Sequence, residues 1–147
     1  MRALRCAVAL VLVAGCVGPS GVHRSVGYQN LKEVQDYVQR GGNINSLDGM
    51  KHTPLILAAY YGSAPIAYYL CEKGAEVNPQ DVEGRTALIW ATYYGHLEIV
   101  NILLKRRADP NIRDVYGYNA LGYAQKYERE EIAAVLKSHG AQPLFPN

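Results

Sequence analysis

The sequence predicts an all-α solenoid, a stack of similar helical units, because its residue pattern repeats every 33 positions. Aspartate recurs at Asp48, Asp81 and Asp114, and leucine recurs at Leu70, Leu103 and Leu136. The tripeptide that starts at Thr53 returns at Thr86 and at Asn119, and Tyr-Gly pairs occupy positions 61–62 and 94–95. A stack of small units offers an extended surface rather than an enclosed pocket, so we expect binding rather than catalysis.

The composition fits one folded domain of 147 residues, with 49% apolar and 19% charged residues. Two of the 15 Lys and Arg residues, Arg2 and Arg5, lie in a segment that we expect to be removed. The remaining 13 basic residues balance 13 acidic ones, so the chain lacks the clustered basic face of nucleic-acid-binding proteins. Twelve tyrosines against one Phe and one Trp draw attention to aromatic surfaces.

Residues 1–20 have the order of regions found in a secretory signal peptide. Two arginines precede an apolar run at 6–13, and small residues follow it. The run is too short to span a membrane, which takes about 20 apolar residues. The segment Val-Ala-Gly-Cys at 13–16 resembles the bacterial lipobox, where cleavage before the cysteine is coupled to its acylation. The alternative is ordinary cleavage after Gly15 or Gly18, with the cysteine incidental.

The lipobox resemblance implies a lipoprotein signal peptide at 1–15, lipidated Cys16 as the first mature residue, and a tether at 16–20. The acyl chains that it implies suffice for stable membrane anchoring. Val17 replaces the aspartate that retains such proteins in the inner membrane in enteric-type sorting. We therefore expect an outer-membrane lipoprotein of the bacterial envelope that faces the periplasm. Cys71 then has no disulfide partner, and we expect it to be a small buried side chain.

The repeated segments at 48–80 and 81–113 resemble ankyrin repeats, most clearly over 81–104. The resemblance extends over residues 20–142 and implies a β-hairpin loop followed by two antiparallel helices in each 33-residue repeat. We therefore expect a degenerate N-terminal unit at 21–47, two repeats at 48–80 and 81–113, a capping repeat at 114–142 and a tail at 143–147. The first unit should have its second helix at 31–38. Its first helix would span 21–28, a weak helix former with two glycines, and the sequence leaves open whether it is ordered.

Residue types at the repeat positions support this arrangement independently. Thr53 and Thr86 can accept hydrogen bonds from the free N–H groups of a first helix, and Pro54 suits its first turn. Glycine at 62 and 95 fits the turn that ends this helix.

Two positions depart from the repeat pattern. Arg107 stands where positions 41, 74 and 140 carry glycine, and Lys51 replaces the loop glycine found at 84 and 117. Because the glycine positions favour φ > 0, we expect backbone strain of about 1 kcal/mol at Arg107.

No catalytic arrangement is visible in the sequence. The four histidines lie at different repeat positions, and Glu130 and Glu131 point in different directions on a helix. The chain has no glycine-rich phosphate loop and no zinc-ligand spacing. We therefore expect no enzyme activity, cofactor, metal or small-molecule substrate. The basic run at 105–107 suits a helix C-terminus, with a lipid or nucleic-acid contact as the weaker alternative.

Tyrosine occupies one repeat position four times, at Tyr28, Tyr61, Tyr94 and Tyr127. The ankyrin resemblance implies that this position and the loop tips face a concave groove. Tyrosine is favoured at interfaces for its large, stiff contact area and its polar tip. The expected partner-binding residues are Met50, His52, Tyr60, Tyr61, Glu83, Arg85, Tyr93, Tyr94, Tyr116, Tyr118, Lys126 and Tyr127.

Two roles remain open for these tyrosines. Tyr61 and Tyr94 can equally stack on their neighbours and tie the repeats together. We expect Tyr60, Tyr93, Tyr116 and Tyr118 to project where packing does not need them.

The expected function is capture of a protein partner, either a periplasmic enzyme that this chain assists or scaffolds, or an effector that it inhibits as an immunity-type protein. The alternative is a structural envelope factor that contacts lipid or peptidoglycan. That role calls for basic or saccharide-binding surfaces, which the balanced charge does not favour.

Overall fold

The computed structural model describes residues 20–144 and confirms the all-α solenoid. Within this range eight helices form four pairs joined by connections of two or three residues. They are α1 (Ser20–Gly27), α2 (Leu31–Gln39), α3 (Pro54–Tyr61), α4 (Ala64–Glu72), α5 (Ala87–Tyr94), α6 (Leu97–Lys105), α7 (Ala120–Lys126) and α8 (Glu130–Ser138). The expected signal peptide, Cys16 and the last three residues of the tail lie outside the described residues. Between residues 20 and 144 no helix is long and apolar enough to cross a membrane.

The helix pairs stack side by side, and each contacts the pair before and after it. The first helices α1, α3, α5 and α7 pack in series, and so do the second helices α2, α4, α6 and α8. Ala58, Ala59 and Ala91 are fully buried, which permits the close approach of neighbouring first helices. Leu70, Leu103 and Leu136 occupy one repeat position in the second helices and are also fully buried. Cys71 is buried and free, as expected.

The first helices of the three later units begin where the capping residues predict. The Thr53 Oγ1 accepts a hydrogen bond from the Ile56 N–H at 3.1 Å, and Thr86 makes the same bond to Ile89 at 3.3 Å. In the last repeat, the Asn119 Oδ1 accepts from the Gly122 N–H at 2.8 Å. Each cap satisfies an N–H group that the helix itself cannot pair.

The expected β-hairpins are hydrogen-bonded turns in the structure, and no residue between 20 and 144 forms a strand. Adjacent loops share single backbone bonds, from the Val82 N–H to the Met50 carbonyl and from the Val115 N–H to the Glu83 carbonyl. Aspartate side chains take other loop N–H groups, among them those of Met50 and Glu83. Too few donors therefore remain for a ladder between the loops.

Asparagine side chains connect each unit to the next. The Asn45 Oδ1 accepts from the Glu76 N–H at 3.0 Å, and the Asn78 Oδ1 accepts from the Asp109 N–H at 2.9 Å. The Asn111 Oδ1 accepts from the N–H of Gln142 at 2.7 Å. Because the three asparagines are spaced 33 residues apart, the same contact sets the register of every interface along the stack.

The degenerate N-terminal unit is an ordered helix pair. Its helices span Ser20–Gly27 and Leu31–Gln39, within one residue of the expected bounds. Val22 and Val26 are buried, and the His23 Nε2 lies 3.0 Å from the carbonyl oxygen of Ser46. The same nitrogen lies 3.1 Å from the carbonyl oxygen of His52, so this histidine contacts the following repeat.

Both departures from the glycine pattern adopt the backbone conformation that was expected of them. Arg107 has φ 62° and Lys51 has φ 60°. A Cβ at Gly62 would lie 2.5 Å from the His96 ring, so glycine is needed there for space as well as for conformation. At the same repeat position in the first unit, Gln29 has φ 54°.

Replacing Arg107 with glycine should raise the free energy of unfolding by about 1 kcal/mol, because the left-handed conformation costs a residue with a Cβ roughly that much. Urea denaturation of the repeat domain measures this change in the free energy of unfolding. Asn101→Gly, in the middle of α6, is the control and should lower stability by about 1 kcal/mol. Equal destabilisation by both substitutions would contradict the strain at Arg107.

Candidate protein-binding face

The loop of each later repeat is organised by one aspartate. The Asp81 Oδ1 accepts from the N–H groups of Glu83 and Arg85, both at 2.9 Å. Asp48 and Asp114 make the equivalent pairs of bonds in their own loops. Ionised acceptors of backbone N–H groups are among the stronger hydrogen-bonding groups in proteins, so the loop tips are firmly held.

The second oxygen of each aspartate binds a different side chain. The Asp81 Oδ2 accepts from the Trp90 Nε1 at 2.8 Å, and the Asp114 Oδ2 accepts from the Tyr123 hydroxyl at 2.5 Å. Trp90 and Tyr123 occupy the same repeat position, where the preceding repeat has Leu57. Leucine has no donor, and the Asp48 Oδ2 instead accepts from the His52 Nδ1 at 2.9 Å.

Eight aromatic side chains form a continuous cluster across three repeats, called here the aromatic cluster. It consists of Tyr60, Tyr61, Trp90, Tyr93, Tyr94, Tyr118, Tyr123 and Tyr127. Most neighbouring rings meet edge to face, with centroids about 5 to 6 Å apart. Trp90 and Tyr123 were not among the expected site residues, although their spacing from Asp81 and Asp114 is the signal that could have found them.

The expectation that Tyr60 and Tyr93 project away from packing is wrong. The Tyr60 ring lies 5.1 Å from Trp90 and 5.0 Å from Tyr94 in the next repeat. The Tyr93 ring lies 5.6 Å from Tyr123 and 4.9 Å from Tyr127. Both rings therefore help to hold adjacent repeats together.

Tyr61 and Tyr94 combine the two roles left open by the sequence. The Tyr94 ring lies 5.0 Å from the Tyr60 ring of the preceding repeat, and the Tyr61 ring lies beside Gly27 of the first unit, where a Cβ would be 3.6 Å away. Both nevertheless keep exposed edges. Tyr28, at the matching position of the first unit, is 78% exposed and lies outside the cluster.

The loop tips provide the most accessible apolar groups beside this cluster. Tyr116 is 61% exposed and Met50 is 51% exposed. The expectation that Tyr118 projects away from packing is wrong, because this ring is half-buried against Tyr123, with ring centroids 5.3 Å apart. The twelve residues expected to bind a partner thus lie on one connected surface, here called the aromatic face, and differ in how much of each is free for contact.

Two cations of the chain lie over the rings of the aromatic face. The Arg85 guanidinium lies 4.6 Å from the Trp90 ring and 5.7 Å from the Tyr116 ring, and it pairs with Glu83. Lys126 Nζ lies 5.0 Å from the Tyr118 ring. Such contacts are favourable because the face of an aromatic ring is electron-rich.

Contacts on the aromatic face shift the pKa of several of its side chains. Burial opposes the charge of Arg85, but Tyr123, Glu83 and Asp114 raise its pKa, so the guanidinium stays protonated. Burial, followed by the bond to Asp114, raises the pKa of Tyr123 to about 12. The bond with Tyr60, followed by burial, raises the pKa of Tyr94 to about 12. Both tyrosines are therefore neutral at physiological pH and can donate hydrogen bonds.

A cavity of about 490 Å³ opens in the aromatic face beside His52. It is lined by His23, Asp48, Met50, His52, Leu57, Tyr60, Tyr61, Glu83 and Trp90. The His52 ring lies between two aspartates: its Nε2 is 3.7 Å from the Asp81 Oδ2, and its Nδ1 bonds Asp48. Burial opposes ionisation of Asp48, but the backbone and ring bonds of His52 and the Met50 N–H lower its pKa.

The outer side of the stack has a larger groove, of about 710 Å³, between α4 and α6. Exposed Tyr68 lies in it, and Glu72 pairs with Arg106 at one end. Over residues 20–144 no group of three His, Cys, Asp or Glu side chains is placed to hold a metal ion.

Tyr93→Ala should lower the free energy of unfolding by about 2 to 3 kcal/mol, because it removes ring contacts with the next repeat. Tyr116→Ala should lower it by less than about 1 kcal/mol, since that ring is mostly exposed. Urea denaturation of the two variants tests the division between packing and contact surface. Equal losses for the two variants would contradict it.

Comparison with known families agrees with the repeated geometry. A profile of three ankyrin repeats matches residues 22–114, which is more than half of the chain. No curated protein is similar enough to this chain to count as a relative. Beyond the matched region, α7 and α8 stack on α5 and α6 in the same manner. The chain belongs to the ankyrin-repeat family, whose members are typically non-enzymatic scaffolds that bind other proteins.

Proposed function

We propose that this chain is a lipid-anchored protein of the bacterial envelope that faces the periplasm and binds one protein partner through its aromatic face. The partner is a periplasmic enzyme that the chain assists or scaffolds, or an effector that it inhibits. The observation that carries the binding proposal is the pair of accessible loop-tip side chains, Met50 and Tyr116, beside a preformed aromatic cluster.

The chemistry of the aromatic face suits protein recognition. Binding energy at protein interfaces is concentrated in a few residues, among which Trp, Tyr and Arg are enriched. The aspartate bonds already hold the loops, and ring contacts hold the tyrosines. Because these side chains and loops are already ordered, binding a partner would cost little conformational entropy on this face, which favours affinity.

The anchor proposal is supported by the order of residues 1–20 and by the start of the fold. Helix α1 begins at Ser20, four residues after Cys16. Four residues span at most about 14 Å when fully extended. An acylated Cys16 would thus keep the first ankyrin unit close to the lipid headgroups.

Partner capture from detergent-solubilised envelope, using the full protein with Cys16 retained as bait, tests the binding proposal. The double variant Met50→Ala/Tyr116→Ala should lose one dominant partner that the wild type retains. Tyr68→Ala is the matched control, because Tyr68 is similarly exposed but lies in the outer groove. Recovery of the same material by all three baits would contradict binding through the aromatic face.

Substitution of Cys16 tests the anchor separately. Cys16→Ala should remove the protein from the membrane fraction, whereas Cys71→Ala should leave it there, because Cys71 is buried in α4. Intact mass spectrometry of the wild type should show acyl chains and loss of residues 1–15. An unmodified Cys16, or cleavage at a different position, would contradict lipidation.

A further inference from the structure

We infer that the cavity beside His52 receives a cationic side chain, an arginine or lysine, from the protein partner. The inference rests on the proposed function, because it specifies the partner chemistry that the aromatic face recognises. It follows from comparing the repeats: the repeat at 81–113 has Arg85 at the position of His52, and the last repeat supplies Lys126 from a different repeat position.

In the repeat at 81–113, Arg85 occupies the space that corresponds to the cavity beside His52. Its guanidinium lies between Trp90 and Tyr116, pairs with Glu83, and has its Nε 3.7 Å from the Asp114 Oδ2. One repeat earlier the same position carries His52. The His52 ring reaches Asp48 and Asp81 but ends there, so the space that corresponds to the Arg85 guanidinium remains open.

The last repeat is also supplied with a cation from within the chain. Lys126 Nζ lies 5.0 Å from the Tyr118 ring and 5.8 Å from the Tyr127 ring. The positions that correspond to Lys126 in the earlier repeats are Tyr93 and Tyr60. The repeat at 48–80 therefore has the aromatic ring of Tyr60 at the position where the last repeat has Lys126.

The lining of the cavity is complementary to a positive charge. Asp48, bonded to His52, and Glu83, paired with Arg85, provide carboxylates whose other lone pairs can accept a further donor. Tyr60, Tyr61 and Trp90 provide aromatic rings. No Lys or Arg lines the cavity. Leu57 contributes to its size, because it is smaller than Trp90 and Tyr123 at the same repeat position. An elongated basic side chain can pass its apolar stem over Met50 and Leu57 and place its charge near the carboxylates.

Fluorescence of Trp90, the one tryptophan in the sequence, reports on this cavity directly. Titration with the acetylated, amidated tripeptide Gly-Arg-Gly should change the emission in a saturable manner in the millimolar range. The citrulline analogue has the same shape without the charge and should give no saturable change. Equal responses to the two tripeptides, or none to the arginine tripeptide, would overturn the inference.

His52→Arg fills the cavity with a cation of the chain itself, as Arg85 does one repeat later. This variant should lose the response to Gly-Arg-Gly by at least about tenfold in affinity while still folding, as judged by circular dichroism. Glu83→Gln should weaken the response several-fold, and Glu98→Gln, an exposed change on α6, should not alter it. An unchanged response in both His52→Arg and Glu83→Gln would overturn the inference.

Capture of the natural partner separates this inference from the proposed function. If the cavity receives a basic side chain, His52→Arg should reduce capture as Met50→Ala/Tyr116→Ala does. Full capture by His52→Arg together with loss in Met50→Ala/Tyr116→Ala would overturn the cation site and leave the aromatic face as the binding surface. Loss of neither would overturn both.

Discussion

The arrangement of the aromatic face depends on the loop aspartates. In each of the later repeats one carboxylate accepts two backbone N–H groups of its loop and a side-chain donor. Asp81 and Asp114 are buried, so loss of either carboxylate would leave several donors without a partner. Because the side-chain donors of Asp81 and Asp114 lie in the first helices, these bonds fix loop and helix against each other. Contacts within the chain therefore fix the shape of the aromatic face.

The three asparagine contacts extend this local order along the stack. Each one joins a loop to the backbone of the following unit at the same repeat position. Aromatic contacts such as Tyr60 on Trp90 and Tyr93 on Tyr127 make the same connection on the opposite side of the first helices. In a stack where each unit contacts only its neighbours, stability depends directly on these interfaces. The proposed binding surface is therefore also part of the interface between repeats.

Local sequence signals predicted the helices and special backbone positions well, because those features are set within one repeat. The caps at Thr53 and Thr86 follow from residue type, and the positive φ at Arg107 follows from the glycines at the same position of the other units. The packing of Tyr60 and Tyr93 could not be read in this way. It depends on which ring the next repeat supplies, and Trp90 and Tyr123 were recognised as partners only in the structure.

Some positions that are equivalent in the 33-residue period carry different residues in successive repeats. This difference bears on the proposed recognition of a partner. A stack of identical units would present the same chemistry at every step and could bind an extended segment in several registers. Here Leu57, Trp90 and Tyr123 succeed one another at one position, and His52, Arg85 and Tyr118 at another. These changes place an open, carboxylate-lined cavity at one end of the aromatic face, Arg85 beside it in the middle repeat, and Lys126 at the other end. If the proposed partner binds here, it meets different charges along the face, and this polarity favours one direction of binding.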